Sequence, residues 1–265
     1  MTESLADLIR DYRCTADHND RLFAHLGRLA DGDPELKAHR DFVEANAWGM
    51  GYRPFHYMWL LILKDCAARF GDLSAMEIGV HKGQVTSLWG LIAKRLGIAV
   101  DITAVSPFAG NQPKLRIVRS FLKRFSKTYR ARRAAGSLYY DEDFLGATRE
   151  IYERFVGGFD KVRIVKGLST DPAVRAKVAD RAFHVVYIDG DHSYESVKSD
   201  IHWYAPLVVP GGYLVMDDAA HFLPGETFHK GYESVSRACD DFVPGMGFAN
   251  VLNVGHNRVF RRQER

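Results

Sequence analysis

The stretch Ala75-Met76-Glu77-Ile78-Gly79-Val80-His81-Lys82-Gly83-Gln84 decides how this chain folds. A short apolar run enters a turn carrying two glycines, and a helical pattern follows over 84–97. Strand, glycine turn and helix in that order open a βαβ unit. Gly79 lets the backbone turn sharply, and Gly83 lets a ligand approach the helix start. The turn is not the G-x-G-x-x-G of dinucleotide binding, because Glu77 stands where its first glycine would be. A carboxylate there repels a pyrophosphate and attracts a cation.

Further along the chain, apolar runs at 102–105, 162–165, 185–188 and 213–216 alternate with helical stretches at 172–179, 194–206 and 231–242. Most of the runs are apolar on both sides, as strands covered by helices on both faces must be. The pattern predicts an α/β fold with a doubly wound, mostly parallel sheet. Residues 251–254 and 258–260, split by Gly255-His256-Asn257, predict a closing antiparallel pair. Before the first strand the spacing of Leu5, Leu8 and Ile9, then Leu22, Leu26 and Leu29, is helical, as is the run over 54–70. The chain therefore divides into an N-terminal helical cap over 1–70 and a sheet domain over 71–265.

That domain carries an insertion at about 107–160, longer than one crossover needs. Within it Leu115, Val118, Leu122, Phe125 and Tyr129 form one apolar stripe, expected to pack onto the domain or onto a partner subunit. Around the stripe lie Lys114, Arg116, Arg119, Lys123, Arg124, Lys127, Arg130, Arg132 and Arg133 with no acid between them. The insertion and the cap are expected to wall the substrate pocket.

Composition narrows the function classes. Of 265 residues, 46% are hydrophobic and 26% charged, which excludes wholesale disorder and collagen-like repeats. The longest apolar run, over 58–63, is far short of the roughly 20 residues of a membrane span. The first residues carry acids where a signal peptide carries bases, and no membrane partner is expected. A net charge of +3 does not by itself call for nucleic acid. Cys14, Cys66 and Cys239 are odd in number and far apart, which fits a reducing cytoplasm better than a disulfide framework.

A second constellation follows the run at 185–188: Asp189-Gly190-Asp191-His192-Ser193-Tyr194. The run at 213–216 ends in Asp217-Asp218. Both lie at the C-terminal edge of a parallel sheet, where ligands bind. Neighbouring strands would bring Asp189, Asp217 and Asp218 within reach of one ion, and carboxylates so close repel unless a cation neutralises them. Oxygen donors favour a hard ion such as Mg²⁺. His221 and His229 follow in a loop close enough to touch substrate.

Together these residues resemble the class I S-adenosylmethionine-dependent methyltransferases. More narrowly, they resemble the metal-dependent macrocin-type O-methyltransferases of natural-product sugars. The resemblance runs from Glu77 to Asp218. It implies a seven-stranded Rossmann-like methyltransferase sheet, S-adenosylmethionine and Mg²⁺ as cofactors, and a small-molecule acceptor, a sugar or glycosylated natural product. Residue by residue, it gives Glu77, Gly79 and Gly83 to the methionine-binding turn and Ser169 to the segment beside the adenine. Asp189 borders the cofactor and, with Asp217 and Asp218, holds the metal. His192 matches a general base in one branch and Asp191 in another, so both stand as catalytic candidates. Ser106 occupies the end of the second strand, where such proteins carry an acid that holds the ribose; a serine loses the bidentate clamp.

Other classes remain open on the residues alone. A NAD-dependent oxidoreductase would use the same sheet but lacks its glycine signature. A nucleic-acid methyltransferase would rest on the basic 114–133 segment, which shows no binding motif. A metal-dependent hydrolase would use the carboxylates alone. A homo-oligomer is compatible with all of them.

Overall fold

The structure is a computed structural model that describes residues 4–134 and 138–264, without the side chains of Ala131 and Arg132. Four helices open the chain: α1 (Leu5–Asp11), α2 (Ala16–Gly32), α3 (Pro34–Ala45) and α4 (Arg53–Phe70). Ser4, Thr15 and Asp33 begin the first three, each side chain accepting a backbone N–H of the first turn. Such caps satisfy donors that a helix cannot satisfy itself.

The sheet strands are β1 (Leu73–Ile78), β2 (Val100–Ser106), β3 (Arg163–Lys166), β4 (Phe183–Ile188), β5 (Val208–Met216), β6 (Phe248–Val254) and β7 (Asn257–Arg262). Between them run α5 (Gln84–Leu96), α6 (Arg116–Phe125), α7 (Lys127–Ala134), α8 (Phe144–Phe155), α9 (Pro172–Ala176), α10 (Tyr194–Tyr204) and α11 (Glu233–Phe242). The seven strands lie in the order β3-β2-β1-β4-β5-β7-β6. β1 to β5 are parallel, and β7 runs antiparallel to both β5 and β6. β1 has β2 on one side and β4 on the other, so the order reverses there and opens a crevice at the C-terminal edge. This is the α/β sheet that the alternating runs predict, with the antiparallel pair at its far end.

Strand alternation sorts the core into two layers. Ala75, Val185, Tyr187, Tyr213 and Val215 pack with α4, α5 and the N-terminal helices. Met76, Ile78, Val186, Leu214 and Met216 pack with α10 and α11 on the other face. Leu22, Leu26 and Leu36 of the cap belong to the same cluster as the sheet residues, so the first 70 residues form one covering layer of the sheet. Glu77 shares the face of Ala75 and is thereby buried beneath that layer.

The 107–160 segment differs from its expectation. The stripe does not lie on one helix: Ser126 is extended, and its Oγ accepts the N–H of Tyr129 to start α7. Nor, among the described residues, does most of the stripe pack onto the rest of the chain. Leu115 and Phe125 are 66% and 62% exposed, and Val118 is exposed as well. Tyr129 is half-buried, its hydroxyl donating to Gln112. α8 is the ordinary crossover helix, packed on α5; α6 and α7 are the addition. The Arg132 side chain and residues 135–137 of the expected insertion lie outside the described residues. Among the described residues no helix is long and apolar enough to cross a membrane.

Candidate active site

The C-terminal ends of β1, β4 and β5 open into one cavity of about 230 Å³. Gly79 leaves β1 with φ +93°, and a Cβ there would lie 1.7 Å from the Asp189 carbonyl oxygen, so the two strand ends can meet only over a glycine. Glu77 lines the cavity and is buried, its Oε2 accepting from the Thr86 hydroxyl. Burial raises its carboxyl to a pKa of about 8. A buried carboxyl with one hydroxyl partner is a receptor for a cationic group, which would restore its ionised form.

Asp189, Asp217 and Asp218 line the same cavity, as expected for adjacent strand ends. Their carboxyls differ. Burial, then the charges of Asp217 and Asp218, push Asp189 well above the usual range. Burial also raises Asp217, but the charge of His256 and hydrogen bonds from His256 and Tyr187 bring it below that range. Asp218 is raised by burial and by the charge of Asp217, against the pull of nearby histidines. His192 Nε2 is 3.2 Å from Asp218 Oδ2, and His229 Nε2 is 3.6 Å from Asp218 Oδ1.

His256 is the residue that sequence reasoning missed. The β6–β7 turn carries it to the end of β5, with Nε2 3.2 Å from Asp217 Oδ1. Gly255 makes the turn possible: at φ +53° its missing Cβ leaves room for Phe23 and Phe55. Burial lowers the basicity of His256, but the Asp217 and Asp218 carboxylates more than offset it, and the imidazole ends above its ordinary value. The signal was present in the turn between two expected strands, since a strand running back along β5 puts its turn at the active edge.

Among the described residues, Asp217, Asp218 and His256 offer one ligand atom each, all within 4.8 Å of one another. His256 Nδ1 is buried and lacks a hydrogen-bond partner among the described residues. An orphaned buried polar atom costs roughly 1–3 kcal/mol, and a cation there would remove that cost. The donor set therefore fits a divalent ion. Its imidazole broadens the choice beyond Mg²⁺ to metals that accept nitrogen.

The other candidates sit as follows. Asp191 does not line the cavity; its Oδ1 accepts the N–H of Ser193 at the start of α10. Gly83 does not line it either. A Cβ on Gly83 would lie 2.7 Å from Thr148 Cγ2 and 2.9 Å from its Cα, so this glycine is required by α8 rather than by an open approach for a ligand. Ser106 is buried at the end of β2, off the cavity wall. The Ser169 hydroxyl donates to Asp200 Oδ2 at 3.0 Å, also away from the wall. His221 is exposed. The cap supplies a wall that no motif announced: Trp48, Gly49, Met50, Gly51 and Tyr52, between α3 and α4, face the start of α5. A Cβ on Gly49 would strike the Gln84 side chain, so the loop lies directly on α5.

Residues 76–219, more than half of the chain, match the family described as a methyltransferase domain. The chain belongs to that methyltransferase family. No protein of curated function matches the sequence. Solved methyltransferases share the fold. The O-methyltransferase NovP superposes with a TM-score of 0.56 at 16% identity over 79% of each chain. The S-adenosylhomocysteine-bound methyltransferase PaMTH1 of Podospora anserina gives 0.56 at 13% identity, over 93% of this chain and 97% of that one. MycE, from the mycinamycin biosynthetic pathway and in complex with Mg, S-adenosylhomocysteine and mycinamycin VI, gives 0.50 at 16% identity, over 88% of this chain and 54% of MycE. This methyltransferase is thus of class I and uses S-adenosylmethionine.

Proposed function

We propose that this methyltransferase transfers the methyl group of S-adenosylmethionine to a hydroxyl of a small molecule, a sugar or a glycosylated natural product, with a divalent ion bound at Asp217, Asp218 and His256. One observation carries the reading. A buried acid that suits a cation, Glu77, and a buried carboxylate–imidazole cluster that suits a metal share one cavity. The O-methyltransferase NovP and the magnesium complex of MycE are consistent with it.

The sulfonium of the cofactor supplies an electrophilic methyl, and a divalent ion supplies charge that lowers the pKa of an acceptor hydroxyl. The protein's part is to bind, orient and deprotonate. Glu77 receives the ammonium of the cofactor's methionine moiety, and Gly79 keeps the backbone clear beside it. Asp189 lies between the cofactor end and the metal end of the cavity. Trp48, Tyr52, Tyr139 and Phe55 line the remaining walls and exclude water. Ser106 and Ser169 retain the adenosine side as their assignment. His192 is the general base: its imidazole takes the hydroxyl proton, and Asp218 Oδ2, 3.2 Å from Nε2, stabilises the imidazolium that forms. Asp191, engaged at the start of α10, is the weaker candidate. Holding acceptor oxygen, methyl and sulfur in line supplies much of the rate.

The test is calorimetric titration of the purified protein with S-adenosylhomocysteine and with NAD, followed by methyl-transfer assays on sugar acceptors with and without chelator. The proposal expects binding of the first ligand only and turnover that stops with chelator and returns with metal. Full turnover in excess chelator would remove the metal from the reading.

A further inference from the structure

A second cavity, of about 370 Å³, lies beside α6 and α7. Its wall includes Arg116, Arg119, Lys123 and Arg133, together with Ser120 and Tyr140, and contains no acid. Three bases of this region are already engaged. Lys114 pairs with Asp141 at 3.0 Å, and Arg130 donates to the Arg124 carbonyl at 2.8 Å. Arg119 donates to the Pro113 and Lys114 carbonyls at 2.8 and 2.7 Å, which fixes its guanidinium at the cavity wall. Among the described residues no acid pairs with Arg116, Lys123 or Arg133. Cations gathered around a concave surface repel one another, and an anion between them removes that repulsion. Arginine forks and a nearby hydroxyl suit phosphate oxygens in particular.

This cavity shares a wall with the active site. Tyr139 lines the active cavity, whereas its neighbours Leu138 and Tyr140 line the basic one. Successive residues of this segment face alternate cavities, so one thickness of chain separates the two spaces. That segment is pinned: the Asn111 and Gln112 N–H groups both donate to the Tyr139 carbonyl at 3.1 Å, and the Tyr139 N–H donates to Asn111 Oδ1 at 2.9 Å. Tyr140 is 58% exposed, with the Arg119 guanidinium carbon 5.3 Å from its ring centroid. An exposed ring beside unpaired cations is a platform for a nucleobase.

We propose that the basic cavity binds the phosphate groups of the methyl acceptor, an activated or phosphorylated sugar whose hydroxyl reaches the active cavity. This rests on the small-molecule O-methyltransferase reading and names the acceptor's class. Two sources share the chemistry. A nucleoside-diphosphate sugar would also use Tyr140, and a simple sugar phosphate would not.

The experiment uses the full chain saturated with S-adenosylhomocysteine, so that the cofactor pocket is closed to nucleotides. Uridine diphosphate, pyrophosphate, uridine and a short single-stranded RNA are titrated at low and high salt. The two phosphate probes bind, uridine alone does not, and salt weakens binding. The double variant Arg116→Glu, Lys123→Glu weakens both phosphate probes by roughly tenfold or more, with affinity for S-adenosylhomocysteine unchanged. Uridine diphosphate binding more tightly than pyrophosphate supports a nucleotide-activated acceptor; parity supports a sugar phosphate. The inference is overturned if neither phosphate probe binds, if the double variant binds them as the native protein does, or if RNA binds far more tightly than either. Failure of S-adenosylhomocysteine to bind would instead count against the methyltransferase site, and the phosphate titration is then read on the free protein.

Discussion

His256 Nε2 lies 3.2 Å from Asp217 Oδ1, a pairing between the tip of the β6–β7 turn and the first residue beyond β5. The sheet brings them together because β7 runs back along β5, from Met216 opposite Arg258 to Tyr213 opposite Arg261. The predicted consequence is that His256→Ala and Asp217→Asn both lose the metal response and keep cofactor affinity. Metal titrations of both variants, each checked with S-adenosylhomocysteine, measure it. A variant that keeps the native metal affinity would remove His256 from the ligand set.

Glu77 holds a proton below a pKa of about 8 in the free protein, because it is buried. Binding a cationic ammonium requires the ionised form. Binding at pH 7 therefore releases close to one proton, and affinity for S-adenosylhomocysteine rises with pH up to about 8. Calorimetry in buffers of different ionisation enthalpy reads the released proton directly. Glu77→Gln should abolish the release and weaken binding roughly ten- to a hundredfold, the worth of a charged hydrogen bond. Equal heats in all buffers for the native protein would contradict the role of Glu77.

The base assignment separates two neighbours. His192→Ala should lower turnover roughly 10²–10⁴-fold with little change in cofactor affinity. Asp191→Ala removes the hydrogen bond from the Ser193 N–H just before α10 and should cost about 1 kcal/mol of stability, with modest loss of rate. A dead Asp191 variant beside an active His192 variant would reverse the roles.

His39 and His56 form a buried pair that ties the cap to α5. His39 Nδ1 lies 2.9 Å from His56 Nε2, and His39 Nε2 lies 2.9 Å from Ser87 Oγ. Burial lowers His39 to a pKa of about 3 and His56 well below its ordinary value. Both are neutral when folded, whereas the unfolded chain takes up protons below about pH 6.5. Stability is therefore level above that pH and falls as pH drops toward 3, by about 1.4 kcal/mol per unit for each histidine. Urea unfolding at successive pH values measures the slope, and His39→Gln should shallow it. A slope unchanged by that substitution would show that the acid sensitivity lies elsewhere.

Much of the fold was legible because the apolar runs are strand-length and alternate with helical periods. The shared place of Glu77, Gly79, Asp189, Asp217 and Asp218 on one cavity was legible for the same reason: they sit at strand ends, and strand ends share an edge. What stayed hidden depends on tertiary pairing or on packing between helices. His256 belongs to a turn whose position depends on β7 choosing β5. Trp48 to Tyr52 carry no motif, and only the docking of α3 and α4 brings them over α5. Gly83 read as a ligand approach because sequence cannot show that Thr148 fills the space. The stripe from Leu115 to Tyr129 has helical spacing throughout, but Ser126 caps a new helix and breaks it.

In the proposed function one cavity holds both a sulfonium cofactor and a divalent ion. The most direct measurement is sequential calorimetry on the full chain, first with S-adenosylhomocysteine and then with Mg²⁺ or Mn²⁺, repeated on Asp217→Asn. Both proteins are expected to bind S-adenosylhomocysteine, and only the native chain then binds one ion per molecule. Absence of cofactor binding, or ion binding that survives Asp217→Asn unchanged, would contradict it.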